Sequence, residues 1–203
     1  MKKSRFLITG CCGFIGSHWA EKLLKNGHEV TGIDIKPKNK IFNEYKNFKY
    51  YKMSINNETL IKKLVKKSDI ICHFAAIANP AEYLSDPYKV IQLDALAAIK
   101  IIDIVAKYKK KFIFTSTSEV YGKSSKVPFA EDDDRMLGST NINRWCYSTS
   151  KSLVEHYLFA QNYLFKSTAA TSTDGFCFSF SFIFTPHSLL RSLTNIYRFR
   201  QFI

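Results

Sequence analysis

The sequence predicts an α/β fold in which a doubly wound parallel sheet occupies roughly the first 165 of 203 residues. The first observation is an alternation of short apolar runs with amphipathic stretches between Arg5 and Lys151, which is typical of βαβ units. The second is a glycine-rich loop, Thr9–Gly16, directly after the apolar run Phe6–Ile8. The third is a change of character beyond Phe165, where acidic residues become scarce.

The predicted elements follow one another in the order that a parallel sheet requires. The strands are short apolar or aromatic runs at Phe6–Thr9, Glu29–Ile33, Phe48–Tyr51, Ile70–Phe74 and Phe112–Thr115. The helices are stretches with apolar residues at helical spacing, at Phe14–Lys25, Glu58–Val65, Pro87–Tyr108 and Tyr147–Gln161. Asn26 and Gly27 are a typical C-terminal cap for the first of these helices.

The segment 166–203 does not continue this pattern. Phenylalanine recurs at every second position from Phe176 to Phe184, which predicts a strand with one aromatic face. The end of the chain, Ser188–Ile203, is basic and weakly patterned. We therefore expect one strand followed by a truncated or altered C-terminal region.

The composition indicates a globular domain with a preference for anionic ligands. Apolar residues make up 46% of the chain, which argues against disorder, and the formal net charge is +13. The lysines are scattered and no arginine-rich helix accompanies them, so specific nucleic-acid binding is not expected. The apolar run after the basic N-terminus is too short for a membrane span or a signal peptide, which favours the cytoplasm.

The cysteines predict neither disulfides nor a metal site. Cys11 and Cys12 are adjacent, and the five cysteines form no CxxC pair and no spacing typical of His/Cys metal ligands. Small reduced side chains of a cytosolic protein are the expected role.

The glycine-rich loop predicts a dinucleotide site. Gly10 allows a tight turn, Gly13 lets a pyrophosphate approach the backbone, and Gly16 lets the following helix pack against the strand. The helix that begins at Phe14 would present its free N–H groups to the phosphates. Asp34, at the end of the second strand, can accept hydrogen bonds from the adenosine ribose and would repel a 2′-phosphate, so NAD is preferred over NADP.

Further motifs make the chain similar to the extended short-chain dehydrogenase/reductase family, the NAD-dependent epimerases, dehydratases and decarboxylases of nucleotide sugars. Besides the glycine loop and Asp34, the likeness rests on His73–Ala78, Thr115–Gly122 and Tyr147–Lys151, over residues 5 to about 160. Within that family, four segments look most like the UDP-glucuronate decarboxylase branch: Ala76–Pro80, Leu93–Asp94, Ser116–Gly122 and Asn143–Ser148.

The resemblance implies a Rossmann domain over residues 1–165 and a set of site residues within it. The residues expected to hold NAD are Gly10, Gly13, Phe14, Ile15, Gly16, Asp34, Ala75, Ala76, Ile77, Thr115, Tyr147 and Lys151. The residues expected to act on the sugar are Thr117, Ser118, Glu119, Tyr147 and Lys151.

The same resemblance implies the chemistry. Tyr147, its pKa lowered by the Lys151 ammonium and by the positive charge of the nicotinamide, would take the proton of the sugar C4 hydroxyl, with Thr117 hydrogen-bonded to that hydroxyl. The 4-keto group formed is β to the C5 carboxylate of a glucuronate, so CO2 is lost readily. Ser118 and Glu119 match the polar pair that handles the carboxylate.

Alternative activities stay open at this point. A 4,6-dehydratase is disfavoured because its polar pair is usually acidic at both positions, and Ser118 is not. A 4-epimerase usually has a small or neutral residue at the position of Glu119. The substrate lobe expected after the Tyr-Lys helix is missing or incomplete in this sequence, so a catalytically incompetent NAD-binding remnant is a further alternative. The family implies a possible homodimer through the two long helices.

Overall fold

Six parallel strands form one sheet in the computed structural model, which describes residues 3–168 and 178–179. Their order across the sheet is β3-β2-β1-β4-β5-β6. The strands are β1 (Arg5–Thr9), β2 (Glu29–Asp34), β3 (Phe48–Lys52), β4 (Ile70–His73), β5 (Lys111–Phe114) and β6 (Phe178–Ser179). This is the order of the dinucleotide-binding Rossmann fold, so the predicted fold class is confirmed.

Each of the four predicted helical stretches contains a helix, with shifted ends in all but the first, and the described residues include a further short helix, Pro80–Ser85, that was not predicted. The helices are α1 (Phe14–Lys25), α2 (Glu58–Lys67), α3 (Pro80–Ser85), α4 (Pro87–Ile91), α5 (Ala98–Lys107) and α6 (Trp145–Thr168). Two short 3-10 segments lie at Lys40–Glu44 and Ser118–Tyr121. Within the described part of the chain, no helix combines the length and the hydropathy needed to cross a bilayer.

The long helix predicted over Pro87–Tyr108 is not a uniform α-helix. Between α4 and α5, Gln92–Ala97 is π-helical, so the helical stretch widens in its middle. Asp94 lies in this widened turn and is 1% exposed. Such π segments occur mostly as single turns inside α-helices and are frequent at functional sites.

Each face of the sheet has its own apolar core. Successive residues of a strand point to opposite faces, so Leu7 and Ile8 of β1 enter different cores. One core joins the sheet to α2, α5 and α6, with Ile101 and Val154 among its fully buried side chains. The other joins the sheet to α1 and to the first 3-10 segment, with Phe42 fully buried. Burial on both faces explains why the strands are nearly continuous apolar runs.

The last described elements extend past the predicted domain boundary at residue 165. Helix α6 continues to Thr168, and β6 pairs with β5 through Phe178 and Ser179. The predicted strand in the Phe176–Phe184 region therefore contributes to the main sheet where it is described. The other residues of the predicted tail lie outside the described residues.

Candidate nucleotide-binding and catalytic site

The site lies where the strand order of the sheet reverses, at the carboxyl ends of β1 and β4. Connections from these two strands leave toward opposite faces, and open α/β sheets bind ligands in the crevice that results. Gly10, directly after β1, has a φ of +72°, and a Cβ there would lie 2.7 Å from the amide nitrogen of Ala75 after β4. The loop after β1 thus lies directly against the chain after β4 at the floor of the crevice.

The glycine loop leads into α1 with very little room for side chains. A Cβ on Gly16 would lie 2.1 Å from the carbonyl oxygen of Gly10, so the start of the helix packs on the turn itself. Gly13 is the N-cap and offers no side chain to the first N–H groups of the helix. The side chain of Phe14 is 63% exposed, and Ile15 is half-buried beside it. The helix start therefore presents open donors and a positive dipole to an anion.

Asp34 ties the glycine loop to the end of β2. One oxygen of its carboxylate accepts the Cys12 N–H at 2.8 Å and the other accepts the Lys36 N–H at 2.9 Å. The residue is 8% exposed. A carboxylate oxygen can accept more than one hydrogen bond, so both oxygens keep capacity for ribose hydroxyls.

The chain after β4 is held by two side chains from distant segments. The Ala75 N–H donates to the hydroxyl of Thr9 at 3.3 Å, and the Ile77 N–H donates to the carboxylate of Asp94 at 2.9 Å. Ala76 lies between these two anchored amides. The three residues predicted to contact the cofactor are therefore fixed in the wall of the crevice.

Tyr147 and Lys151 begin α6 and lie one turn apart on its buried side. Tyr147 is 6% exposed and its ring stacks on that of Tyr83, with centroids 4.5 Å apart. Lys151 is 2% exposed, and its Nζ donates to the carbonyl oxygen of Thr115 at 3.1 Å. The same Nζ lies 4.6 Å from the ring centroid of Phe114. Both side chains are thus oriented by their neighbours.

The chain's own residues raise the pKa of Tyr147, so lowering it depends on the positive charge of the nicotinamide, which the sequence analysis expected beside that of Lys151. Burial raises the pKa of the Tyr147 hydroxyl, and the negative charge of Asp94 raises it further, while the hydrogen bond with Thr117 lowers it. Burial also lowers the pKa of Lys151, which weakens the hold of this side chain on its proton, and Asp94 opposes that effect. Removal from water disfavours the phenolate of Tyr147 and the ammonium of Lys151, which explains both shifts.

The residues after β5 form the wall opposite the glycine loop. The hydroxyl of Thr117 accepts the Glu119 N–H at 3.2 Å and starts the second 3-10 segment, which places Ser118 half-buried beside it. One carboxylate oxygen of Glu119 is buried without a hydrogen bond and lies 3.7 Å from the guanidinium of Arg144. The structure therefore places Thr117 near Tyr147 and the buried oxygen of Glu119 in an ion pair with Arg144.

Sequence reasoning did not assign a role to Asp94, Tyr83 or Arg144. Asp94 follows Val90 by four residues, so it falls on the same helical face as an apolar residue. An acidic residue among apolar ones on a helix face was the sequence signal that could have indicated a buried role for Asp94. Burial raises the pKa of Asp94 to about 6, and the charge of Lys151 opposes this. Arg144 lies in the segment Asn143–Ser148 that carries the branch resemblance, but no role was assigned to it, and no sequence signal marks Tyr83.

A family model described as GDP-mannose 4,6 dehydratase matches residues 7–181. The chain belongs to this family. The family's match continues past residue 165, so family likeness includes β6. The resemblance to NAD-dependent epimerases and dehydratases is thereby confirmed.

Individual relatives agree with this membership. The chain is 42% identical over 156 residues to the UDP-N-acetyl-alpha-D-glucosaminuronate decarboxylase of Bacillus cytotoxicus, covering 75% of this chain and 48% of that protein. The PbgP3 protein of Burkholderia pseudomallei superimposes with a TM-score of 0.78 at 31% identity, covering 88% of this chain and 52% of that one. This family member therefore spans about half the length of these relatives.

A further solved structure contains the expected cofactor. The Bordetella bronchiseptica enzyme WbmH, in complex with NAD+, superimposes with a TM-score of 0.64 at 26% identity. The match covers 79% of this chain and 53% of WbmH.

Proposed function

We propose that this chain carries the NAD-binding and proton-transfer half of a nucleotide-sugar decarboxylase that oxidises C4 of a UDP-glucuronate-type substrate. The observation that carries the proposal is the buried Tyr147–Lys151 pair, with Thr117 close to the tyrosine, at the same edge of the sheet as a strand-to-helix glycine loop. A dinucleotide site and a proton acceptor at one crevice are what oxidation of a hydroxyl requires.

The residues lining the crevice suit NAD. The start of α1 would bind the pyrophosphate, and Asp34 would accept the ribose hydroxyls, which supports NAD over NADP. The anchored chain from Ala75 to Ile77 and the carbonyl of Thr115 form the remaining walls. When bound, NAD supplies the hydride acceptor and a positive charge next to the tyrosine.

The chain's own residues supply the proton transfer. Tyr147 accepts the proton of the C4 hydroxyl, and Thr117 orients the same oxygen. Tyr147 can accept this proton only as a phenolate, and burial raises its pKa, so its own proton has to leave to solvent first. The Lys151 ammonium, together with the positive charge that bound NAD would add, has to stabilise the phenolate until it takes the C4 proton. The 4-keto group then accepts the electron pair of the C5–carboxylate bond, and CO2 leaves.

Decarboxylation is favoured over the other family reactions by the pair after Thr117. A dehydratase would use an acidic side chain at the position of Ser118 to eliminate water, and serine cannot supply that acid. Glu119 keeps one carboxylate oxygen buried near Arg144. The Bacillus relative is, by its name, a decarboxylase of a UDP-linked uronate. An NAD-binding remnant without turnover is the second candidate, because the chain spans about half of its relatives.

Titration of the purified chain with NAD, followed by UDP-glucuronate or UDP-N-acetylglucosaminuronate, tests the proposal. We expect NADH absorbance or release of CO2, and we expect Tyr147→Phe to lower turnover by roughly 10²–10⁴-fold while NAD still binds. Tyr83→Phe is the matched control, since it removes a hydroxyl from the stacked partner ring and keeps the stack. Bound NAD with no product in the unaltered chain supports the remnant, and absence of NAD binding contradicts both candidates.

We also propose a cytoplasmic location and a homodimer. Cys11, Cys12, Cys72 and Cys146 are all free thiols, which suits a reducing compartment. Leu96 and Leu153 lie on the helices expected to pair and are 42% and 45% exposed. Light scattering during gel filtration would give the mass of a dimer, and a monomer at all concentrations would contradict the second proposal.

A further inference from the structure

Three metal-ligating groups meet beneath the glycine loop. They are the thiols of Cys11 and Cys12 and the carboxylate of Asp34, and one ligand atom from each lies within 4.8 Å of the other two. Cys11 and Asp34 are buried, and Cys12 is half-buried. No spacing in the sequence indicates this cluster, because Asp34 is 22 residues away from Cys12.

The spacing of the two sulfurs suits a tetrahedral ion. Sγ of Cys11 and Sγ of Cys12 are 3.9 Å apart. With Zn–S bonds of about 2.3 Å and tetrahedral angles, the sulfurs of a zinc site lie about 3.8 Å apart. The two adjacent cysteines therefore already hold their sulfurs at the required distance.

Two contacts hold the members of the cluster in place. A Cβ on Gly32 of β2 would lie 2.5 Å from Sγ of Cys11, so the absence of a side chain there makes room for the sulfur. Asp34 is held by the Cys12 N–H at 2.8 Å. Little of the chain has to move for the three groups to surround one ion.

We propose that Cys11, Cys12 and Asp34 form a binding site for a thiophilic divalent cation such as Zn²⁺. Each thiol loses its proton to solvent on binding, so two thiolates and one carboxylate face the ion. Water completes the fourth position on the half-buried side of Cys12. The bound ion acts as an effector, because none of its three ligands is among the residues expected to act on the sugar.

The ion and NAD compete for Asp34. This consequence rests on the proposed function, in which the same carboxylate accepts the ribose hydroxyls. The metal site itself does not depend on the proposed function. Zinc would therefore act as an inhibitor that keeps the dinucleotide out of the crevice.

Titration of the reduced, metal-free chain with Co²⁺ tests the site without any need for activity. We expect one equivalent to produce thiolate-to-cobalt charge-transfer absorbance and the strong visible bands of a tetrahedral ion, both displaced by Zn²⁺. Cys12→Ser should weaken binding by roughly 100-fold or more, because loss of an outer-shell partner alone costs 10–100-fold. Cys11→Ser should do the same, and circular dichroism checks that each variant is folded.

Cys146→Ser is the matched control. Cys146 is half-buried like Cys12 but lies at the start of α6, where its thiol donates toward the carbonyl oxygen of Tyr83. Its replacement should leave the cobalt spectrum unchanged. Cobalt binding that survives in folded Cys12→Ser, or no cobalt binding at all, would overturn the proposal.

Competition separates this inference from the proposed function. We expect saturating NAD to weaken cobalt binding at least tenfold. If cobalt binds at the thiols and NAD binds nowhere, the metal site stands and the proposed function fails. If NAD binds and cobalt does not, the NAD-binding part of the proposed function stands and the metal site fails.

Discussion

At the scale of single residues, the polar groups buried behind Tyr147 are the least expected feature of the molecule. Asp94 and Lys151 are each no more than 2% exposed, and one carboxylate oxygen of Asp94 has no hydrogen-bond partner among the described residues. His73 lies near the same lysine, and burial lowers its pKa to about 3, so its imidazole stays neutral. Asp94 thus provides the negative charge that opposes the effect of burial on Lys151.

Asp94 should make the stability of the chain depend on pH in a mildly acidic range. Its pKa is raised from 3.8 to about 6 in the folded state, so the folded protein holds this proton more tightly than the unfolded chain. The contribution of Asp94 to the free energy of unfolding therefore falls as pH rises from about 4 to about 6, by about 3 kcal/mol at most. Asp94→Asn keeps an acceptor for the Ile77 N–H and should remove this fall.

Urea unfolding at several pH values between 4 and 6 measures the difference between the two proteins. Asp132→Asn removes an exposed carboxylate outside the helices and controls for the change in net charge. Parallel curves for the unaltered chain and Asp94→Asn would show that Asp94 does not titrate in this range.

At the scale of elements, the contact between the glycine loop and α1 decides whether the phosphates can be bound. The helix begins at Phe14 without a side-chain cap, and Gly16 lies in its first turn against the carbonyl of Gly10. A side chain at residue 16 would push the helix start away from the loop. The free N–H groups at the start of α1 would then move away from the turn at Gly10, and the two could no longer bind the same phosphates.

Gly16→Ala should therefore destabilise the chain and weaken NAD binding together. The new Cβ would lie 2.1 Å from a backbone oxygen, and overpacking of this kind costs about 1–3 kcal/mol or more. A loss of about 1.4 kcal/mol in binding corresponds to a tenfold weaker NAD affinity. Denaturant unfolding and NAD titration measure the two effects.

Gly27→Ala is the control for this substitution. Gly27 closes α1 at a φ of +81° with nothing near its Cβ position, so alanine there costs only the left-handed conformation, roughly 1–2 kcal/mol. We expect its NAD affinity to match that of the unaltered chain. An equal loss of affinity in both variants would mean that general destabilisation, rather than the loop contact, controls binding.

At the scale of the whole molecule, the strand order places every site residue at one edge of the sheet. The glycine loop, Asp34, the chain after β4 and the start of α6 belong to four separate βα connections. Parallel strands end at the same edge, so these connections meet there. All of these connections belong to this chain, so bound NAD should stabilise the sheet and its helices as one unit.

NAD should raise the melting temperature of the chain. At a concentration 100 times its dissociation constant it adds about 2.7 kcal/mol, which for a chain of this size corresponds to roughly 5–10 °C. NADP at the same concentration should give a smaller shift, because its 2′-phosphate meets the Asp34 carboxylate, although Lys36 and Lys38 lie close by in sequence. Differential scanning fluorimetry measures both shifts, and equal shifts would contradict the role given to Asp34.

The sequence by itself determined the elements and much of the candidate site. Apolar periodicity located the strands and long helices, because each element signals its buried face within a few residues. The loop Gly10–Gly16, Asp34 and the pair Tyr147–Lys151 were found in the same way, since their chemistry depends on short spacings along the chain. The π-helical turn at Gln92–Ala97 was missed, because its residues have the same apolar spacing as an ordinary helix.

The tertiary structure alone decided the strand order, the electrostatics behind Tyr147 and the meeting of Asp34 with the two cysteines. These properties depend on contacts between segments that are distant in sequence, and no local pattern encodes such contacts. The raised pKa of Tyr147 in the chain without NAD was not foreseen for this reason. A neighbouring lysine is visible in the sequence, whereas the burial of both groups and the charge of Asp94 exist only once the chain is folded.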